Sequence, residues 1–307
     1  MSENGPMTTA PYAPEQDVRS VEDCFFYHSM DLPGIGSVSG EWDLRGRLDD
    51  YLGPIELSGK RVLDVGTASG FLCFEIEKRG ADVVGFDLED GAAWDLVPFG
   101  GCANPADVIT RHNQIQRLHR SWWLARRAYG SRARVAYGNV YDIPESLGRF
   151  DIAVVGCLLL HLRDPFRALE SVARLTDESL VVIDVVPGLS EARRAVFKPP
   201  APGLLPAGTP ATMRFVPDPL VAKANDTWWS LSPGIVARFL QVLGFGTIEV
   251  RYHLQRIHSD QYWLYTVEGR RAGTSDQADV APVKPSGPLE WLRAQFPLRR
   301  RAAGHPD

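Results

Sequence analysis

Along the chain, short runs of apolar and β-branched residues alternate with longer stretches whose apolar residues recur at helical spacing. Residues 61–66 (Arg-Val-Leu-Asp-Val-Gly) read as a buried strand. Residues 70–79 read as a helix with apolar Phe71, Leu72, Phe74 and Ile76, and residues 82–88 as a second strand. Further strands fit 134–137, 150–157 and 180–186; helices fit 114–129, 165–175 and 233–243. The last helix starts with Ser232-Pro233, a capping residue followed by proline at the first helical position, and stops at Gly244. Strands at 247–254 and 262–268 close the series and are expected to pair antiparallel. Strand and helix in alternation predict an α/β fold: a mostly parallel, seven-stranded sheet with an antiparallel terminal pair and helices on both faces.

Two stretches interrupt the alternation. Residues 89–113 carry Gly91, Pro98, Gly100, Gly101 and Pro105, and residues 187–225 carry eight prolines. Both follow C-terminal ends of strands, the edge at which open parallel sheets bind ligands, so these long loops are expected to be functional lids or disordered insertions. The expected organisation is a single domain over residues 20–269, with residues 20–59 as a segment covering the site, a disordered N-terminus at 1–19 and a mobile tail at 270–307. Within the tail, Leu289-Glu290-Trp291-Leu292 has the makings of a helical turn, and Arg299-Arg300-Arg301 reads as a solvated basic end.

Composition narrows the classes. With 307 residues, a net charge of -5, 44% hydrophobic and 23% charged residues, the chain can bury a full core and lacks the basic excess of a phosphate-binding protein. No uncharged apolar run reaches membrane-spanning length, and the polar, Pro-rich first sixteen residues lack a signal-peptide pattern, so neither a membrane partner nor export is expected. Cys24, Cys73, Cys102 and Cys157 form no Cys-x-x-Cys pair, which predicts no disulfide framework, no zinc ribbon and a reducing, cytoplasmic setting. His112 and His119 lie seven apart without an accompanying carboxylate or cysteine, so no metal is assigned.

The chemistry concentrates where the first strand meets its helix. Asp64-Val65-Gly66-Thr67-Ala68-Ser69-Gly70 presents backbone N–H groups and a helix N-terminus to a ligand, and Asp87, at the end of the next strand, is placed to accept hydrogen bonds from ribose hydroxyls. A dinucleotide requires glycine where this chain has Ala68, so that pyrophosphate can approach the backbone, and Asp64 adds negative charge beside it. S-adenosylmethionine has no phosphate and carries a cationic amine and a sulfonium, so it tolerates both features.

On these residues the sequence resembles the class I S-adenosylmethionine-dependent methyltransferases, with a Rossmann-like fold, over roughly residues 20–269. Residues 138–144 resemble the family's loop after the third strand, residues 150–162 its fourth strand and exit loop, and residues 164–169 the start of the following helix. The resemblance implies cofactor contacts from Trp42, Asp64, Gly66, Thr67, Ser69, Gly70, Asp87, Leu88, Asn139, Val140 and Cys157. A narrower similarity, through Tyr27-His28-Ser29, residues 40–45 and the His161 loop, is to the subgroup containing the tRNA wobble-uridine carboxymethyltransferase, and by it Trp42 lies over the pocket. Leu160 and the absence of a suitable lysine in residues 25–40 favour the plain cofactor over the carboxylated one.

The expected function is methyl transfer to an oxygen or nitrogen of a small or medium-sized acceptor. The alternatives are tRNA wobble-uridine modification and a non-catalytic cofactor-binding protein on the same fold. His161 reads either as a general base beside the methyl group or as a structural residue bonded to a neighbouring loop. His28, Arg45, Trp228 and Trp229 are candidates for the acceptor pocket; if the two tryptophans are extended, one packs while the other faces the pocket. Trp122 and Trp123, interleaved with Arg117, Arg120, Arg126 and Arg127, read either as a stacking surface or as one side of a partly buried helix.

Overall fold

The computed structural model describes residues 11–271 except 93, 100–104, 190, 195, 206–207 and 222–225. In chain order the elements are β1 (Met30–Leu32), β2 (Gly36–Val38), β3 (Trp42–Asp43), α1 (Leu48–Leu52), β4 (Arg61–Val65), α2 (Phe71–Glu77), β5 (Asp82–Leu88), α3 (Pro105–Tyr129) and β6 (Arg134–Gly138). There follow β7 (Phe150–Gly156), α4 (Pro165–Arg174), β8 (Thr176–Val185), α5 (Glu191–Arg194), β9 (Gly203–Leu204), β10 (Met213–Phe215), β11 (Trp229–Leu231), α6 (Pro233–Val242), β12 (Thr247–Ile257) and β13 (Asp260–Arg270).

The main sheet runs in the order β3-β12-β13-β8-β7-β4-β5-β6, with β9 paired to β12. Strands β6, β5, β4, β7 and β8 are parallel, and β13 is antiparallel to both β8 and β12. The expected seven-stranded sheet with its antiparallel terminal pair is therefore its body, and the short β3 and β9 extend it. Because helices cover both faces, alternate residues of one strand enter different cores. Val62, Val83, Val135, Ile152 and Val154 meet Phe71, Phe74 and Ile76 of α2 and Trp122 and Leu124 of α3. Their neighbours Leu63, Val84, Val155 and Val182 meet Leu169 and Val172 of α4 and Val236 and Leu240 of α6. Full burial of each such side chain is worth about 1.5–3 kcal/mol, which explains why the central strands read as unbroken apolar runs.

Local signals set the helix ends. Asp164 accepts a hydrogen bond from Arg167 N at 3.1 Å ahead of Pro165, and Ser232 accepts one from Ile235 N at 3.3 Å ahead of Pro233. Three expectations are corrected. The helix expected from residue 114 begins at Pro105, inside the first insertion, because proline is well placed to open a helix. Residues 12–18, expected to be disordered, dock on the sheet edge: Ala13 N donates to Val135 O at 2.8 Å, Arg61 donates to the Tyr12 hydroxyl at 3.1 Å, and Val18 is buried. The second insertion contributes α5, β9 and β10 rather than loop alone. The tail features at 289–292 and 299–301 lie outside the described residues.

Residues 25–43 form a strap over the C-terminal edge of the sheet. Phe25 is held by Ser121 of α3, whose hydroxyl accepts from Phe25 N at 2.8 Å and donates to Phe25 O at 2.6 Å. His28 N donates to the Ser69 hydroxyl at 3.2 Å, and β3 pairs with β12 through Asp43 with Arg256 and Trp42 with Ile257.

Candidate active site

The turn between β4 and α2 is built from unusual backbone. Gly66, Ala68 and Gly70 have φ of 77°, 51° and 86°, the left-handed region that glycine enters without steric penalty. Gly66 N and Thr67 N donate to Phe86 O at 2.8 and 3.2 Å, which folds the turn onto the tip of β5. At Gly70 a Cβ would stand 2.5 Å from the Phe74 ring and 2.6 Å from that of Trp122, so the turn packs against two aromatic side chains. Asp87 secures it from the other side: one carboxylate oxygen accepts from Ala68 N at 2.6 Å and the other from Leu88 N at 2.7 Å. Burial raises the Asp87 pKa, and these two N–H groups oppose the rise. Beyond Leu88, the His119 ring stacks on Tyr137 with centroids 3.8 Å apart and bonds Leu88 O at 3.0 Å.

Asp64 is 1% exposed, and neither of its carboxylate oxygens has a hydrogen-bond partner. Burial pushes its pKa up to about 7, against a lowering by the Thr67 hydroxyl and helped by the charge of Asp87. Thr67 Oγ1 is buried without a partner, as is His28 Nδ1 in the strap above. Burial also takes His28 down to about 4, so the imidazole is neutral at pH 7. Its ring lies between Tyr27 and Phe71, and Tyr27 accepts the indole N–H of Trp42 at 3.2 Å. Buried polar atoms are ordinarily satisfied, so four orphaned atoms on three residues around one turn mark a place suited to a polar ligand. An acceptor carboxylate and hydroxyl, open backbone turns and an aromatic cover suit the ammonium, ribose and adenine of an S-adenosyl group.

The tips of β6 and β7 complete the edge. Asn139 is exposed and caps the following turn by accepting from Tyr141 N at 2.9 Å; Val140 and Leu88 are half-buried. Cys157 has φ of 48° and donates its N–H to Ile183 O at 2.8 Å, and burial pushes its thiol pKa up. Tyr51 reaches this tip, since a Cβ on Gly156 would stand 2.6 Å from its hydroxyl. His161 Nδ1 lies 2.6 Å from the carbonyl oxygen of Asp226. A carbonyl only accepts, so Nδ1 carries a proton, and in the neutral imidazole Nε2 is then the acceptor.

The two insertions meet here. Asp226 pairs with Arg111 of α3 at 3.2 Å. The Asp95 carboxylate accepts from the Tyr141 hydroxyl and from Arg163 N, the latter at 2.8 Å, while Asp95 O accepts the indole N–H of Trp228. Trp228 N donates to Leu160 O at 2.8 Å, and the Trp229 indole donates to Arg163 O at 3.1 Å. Trp228 is thus the buried, packing tryptophan and Trp229 the half-buried one.

Two readings can be narrowed. Arg45, expected at the acceptor pocket, has its guanidinium engaged within the strap, by Asp43 twice at 2.8 Å, Asp31 at 2.8 Å and Ser37 at 3.0 Å. Of the two readings of Trp122 and Trp123, the structure shows the buried helix: both side chains lie in the core, while Arg117 and Arg126 donate to backbone carbonyls. Sequence reasoning missed Tyr51, Asp95 and Asp184. For Asp184 a signal was available: like Asp64, it is an acid inside an apolar strand.

A family model described as a methyltransferase domain matches residues 43–231. No curated protein matches the chain. Among solved structures, a SAM-dependent methyltransferase from Methanosarcina mazei is 16% identical, covering 75% of this chain and 98% of that one, with a TM-score of 0.46. Magnesium protoporphyrin IX methyltransferase from Synechocystis PCC 6803 with bound SAH is 14% identical, with coverages of 70% and 76% and a TM-score of 0.44. The N-terminal domain of EvdMO1 with SAH bound is 20% identical, with coverages of 70% and 76% and a TM-score of 0.38. With a family match over more than half of its length, laid on this sheet and this turn, the chain belongs to the methyltransferase-domain family as a class I S-adenosylmethionine-dependent methyltransferase.

Proposed function

We propose that the chain transfers the methyl group to an oxygen or nitrogen of a small or medium-sized acceptor held between the tips of β7 and β8 and the two insertions. The observation that carries this reading is the His161 hydrogen bond to Asp226 O at 2.6 Å, which leaves Nε2 free to take a proton from a hydroxyl or amine. The residues proposed to hold the cofactor are Asp64, Gly66, Thr67, Ser69 and Gly70 of the turn, Asp87 and Leu88 beyond β5, Asn139 and Val140 beyond β6, Cys157 beyond β7, and Trp42 in the strap. When bound, the cofactor supplies an electrophilic methyl on a sulfonium. The protein's part is to align the acceptor for in-line displacement, exclude water beneath the Asp95 and Trp228 contacts, and receive the proton at His161 Nε2.

The test combines calorimetry with S-adenosylhomocysteine and labelled methyl transfer into cell extract, with the product identified by mass spectrometry. His161→Ala is expected to lower turnover by about 10²–10⁴-fold with cofactor affinity nearly unchanged. Loss of cofactor affinity without loss of turnover at saturation would assign His161 to structure instead.

A further inference from the structure

Asp184 lies near the C-terminal end of β8, opposite Tyr265 of β13, and is 3% exposed. Its Oδ1 accepts the adjacent Val185 N–H at 2.7 Å, whereas Oδ2 is buried with no partner. Among the described residues no cation stands within ion-pairing distance of it. The Tyr265 hydroxyl, across the strand pair, is committed elsewhere, since it donates to Leu231 O at 3.0 Å. A buried carboxylate oxygen left without a donor is costly, and a ligand that supplies the donor is one reason for keeping it.

Its place in the sheet says which ligand. The cofactor turn belongs to β4 and β5, whereas β8 pairs with β7 and β13 and does not touch β4 or β5 in the sheet. The Cys157 N–H bond to Ile183 O sets the tip of β7, from which the His161 turn departs, directly beside Asp184. Strand β11 packs against both β8 and the turn Leu159–His161. Asp184 also acts electrostatically on Cys157, raising its thiol pKa. The unsatisfied oxygen therefore belongs to the strand beside the one from which the His161 turn departs, and not to the strands of the cofactor turn.

We propose that Asp184 Oδ2 recognises the acceptor by accepting a hydrogen bond from a second hydroxyl or amino group, other than the one that is methylated. The acceptor is then a bifunctional alcohol, phenol or amine. This rests on the methyl-transfer reading above.

The probes are catechol and 2-aminophenol, each with two donor groups, and phenol and aniline with one. Their binding to the SAH-saturated full chain is followed by ligand-observed NMR, and labelled methyl transfer by scintillation, for the wild type, Asp184→Asn and Asp184→Ala. The wild type is expected to favour the bifunctional pair by about tenfold or more, the Ala variant to lose that preference, and the Asn variant, which keeps one carbonyl acceptor, to retain part of it. SAH affinity should stay within about twofold throughout, which also reports that the variants fold. Equal affinity for both pairs in the wild type, binding of neither, or a preference that survives in the Ala variant would overturn the proposal. If the Ala variant does not fold, the same comparison in the Asn variant decides: an undiminished preference there refutes it. Failure of the wild type to bind SAH at all would strike the methyl-transfer reading instead.

Discussion

The carboxyl of Asp64 should make the ligand-free protein lose stability as pH rises. Burial lifts it from an ordinary 3.8 to about 7. Between those values the folded chain keeps a proton that the unfolded chain has released, so the slope of unfolding free energy against pH is negative in that window. At 1.36 kcal/mol per pH unit, the interval sets a ceiling of about 4 kcal/mol on the loss by pH 8. Asp64→Asn removes the titration while keeping shape. Relative to the wild type, it should gain stability steadily between pH 4 and pH 8, by up to about 4 kcal/mol, in urea denaturation followed by tryptophan fluorescence. Asp184, also pushed up to about 7, contributes the same sign to both proteins and cancels in the difference. With S-adenosylhomocysteine the variant's advantage should shrink by about 1.5–3 kcal/mol, because it lacks the charge-assisted contact proposed for the ligand's ammonium. A stability difference that does not change with pH would refute the reasoning.

Gly70→Ala places a Cβ at φ of 86° and 2.5 Å from the Phe74 ring, so backbone strain and overpacking together should cost about 2–5 kcal/mol, read as a lowered urea midpoint. Arg45→Ala should cost less than about 1 kcal/mol and leave SAH affinity unchanged in calorimetry, since its ion pairs with Asp31 and Asp43 are partly solvated and made within the strap. Trp228→Phe keeps the ring but removes the N–H that Asp95 O accepts, at a cost of about 1 kcal/mol, and should speed proteolytic cleavage within residues 88–99. Unchanged cleavage would show that Asp95 is held without it.

The parts of the fold that could be read in advance are those whose cause is local. Strand β5 has the limits that its apolar run suggested, because both faces of a central strand are buried and nothing outside the run competes. The start of α6 was legible because Ser232 and Pro233 are themselves the cause of the helix end. The turn from Asp64 to Gly70 was legible for the same reason, since its positive φ angles require small residues. The engagement of Arg45 was only half legible: Asp43 is two residues away, but Asp31 reaches it only in the folded strap, and no periodicity records a contact at that range. Tyr51 and Asp95 were missed for the complementary reason: a tyrosine in a short helix and an aspartate in a Gly- and Pro-rich stretch acquire their roles through partners far along the chain. The docking of residues 12–18 likewise depends on Val135 and Arg61 and leaves no mark on the segment's own composition.

The strap has a consequence for how the molecule comes into being. Its Trp42 and Asp43 are secured by Ile257 and Arg256, and His258 N donates to Glu41 O at 2.7 Å. Synthesis runs from the N-terminus, so residues 25–43 leave the ribosome long before the strand that fastens them. The turn, β4, β5 and α3 can assemble while only the front of the strap, at Phe25 and His28, has its partners. Its far end at residues 41–43 is fastened only when β12 has emerged, so the covering of the turn is completed late in synthesis.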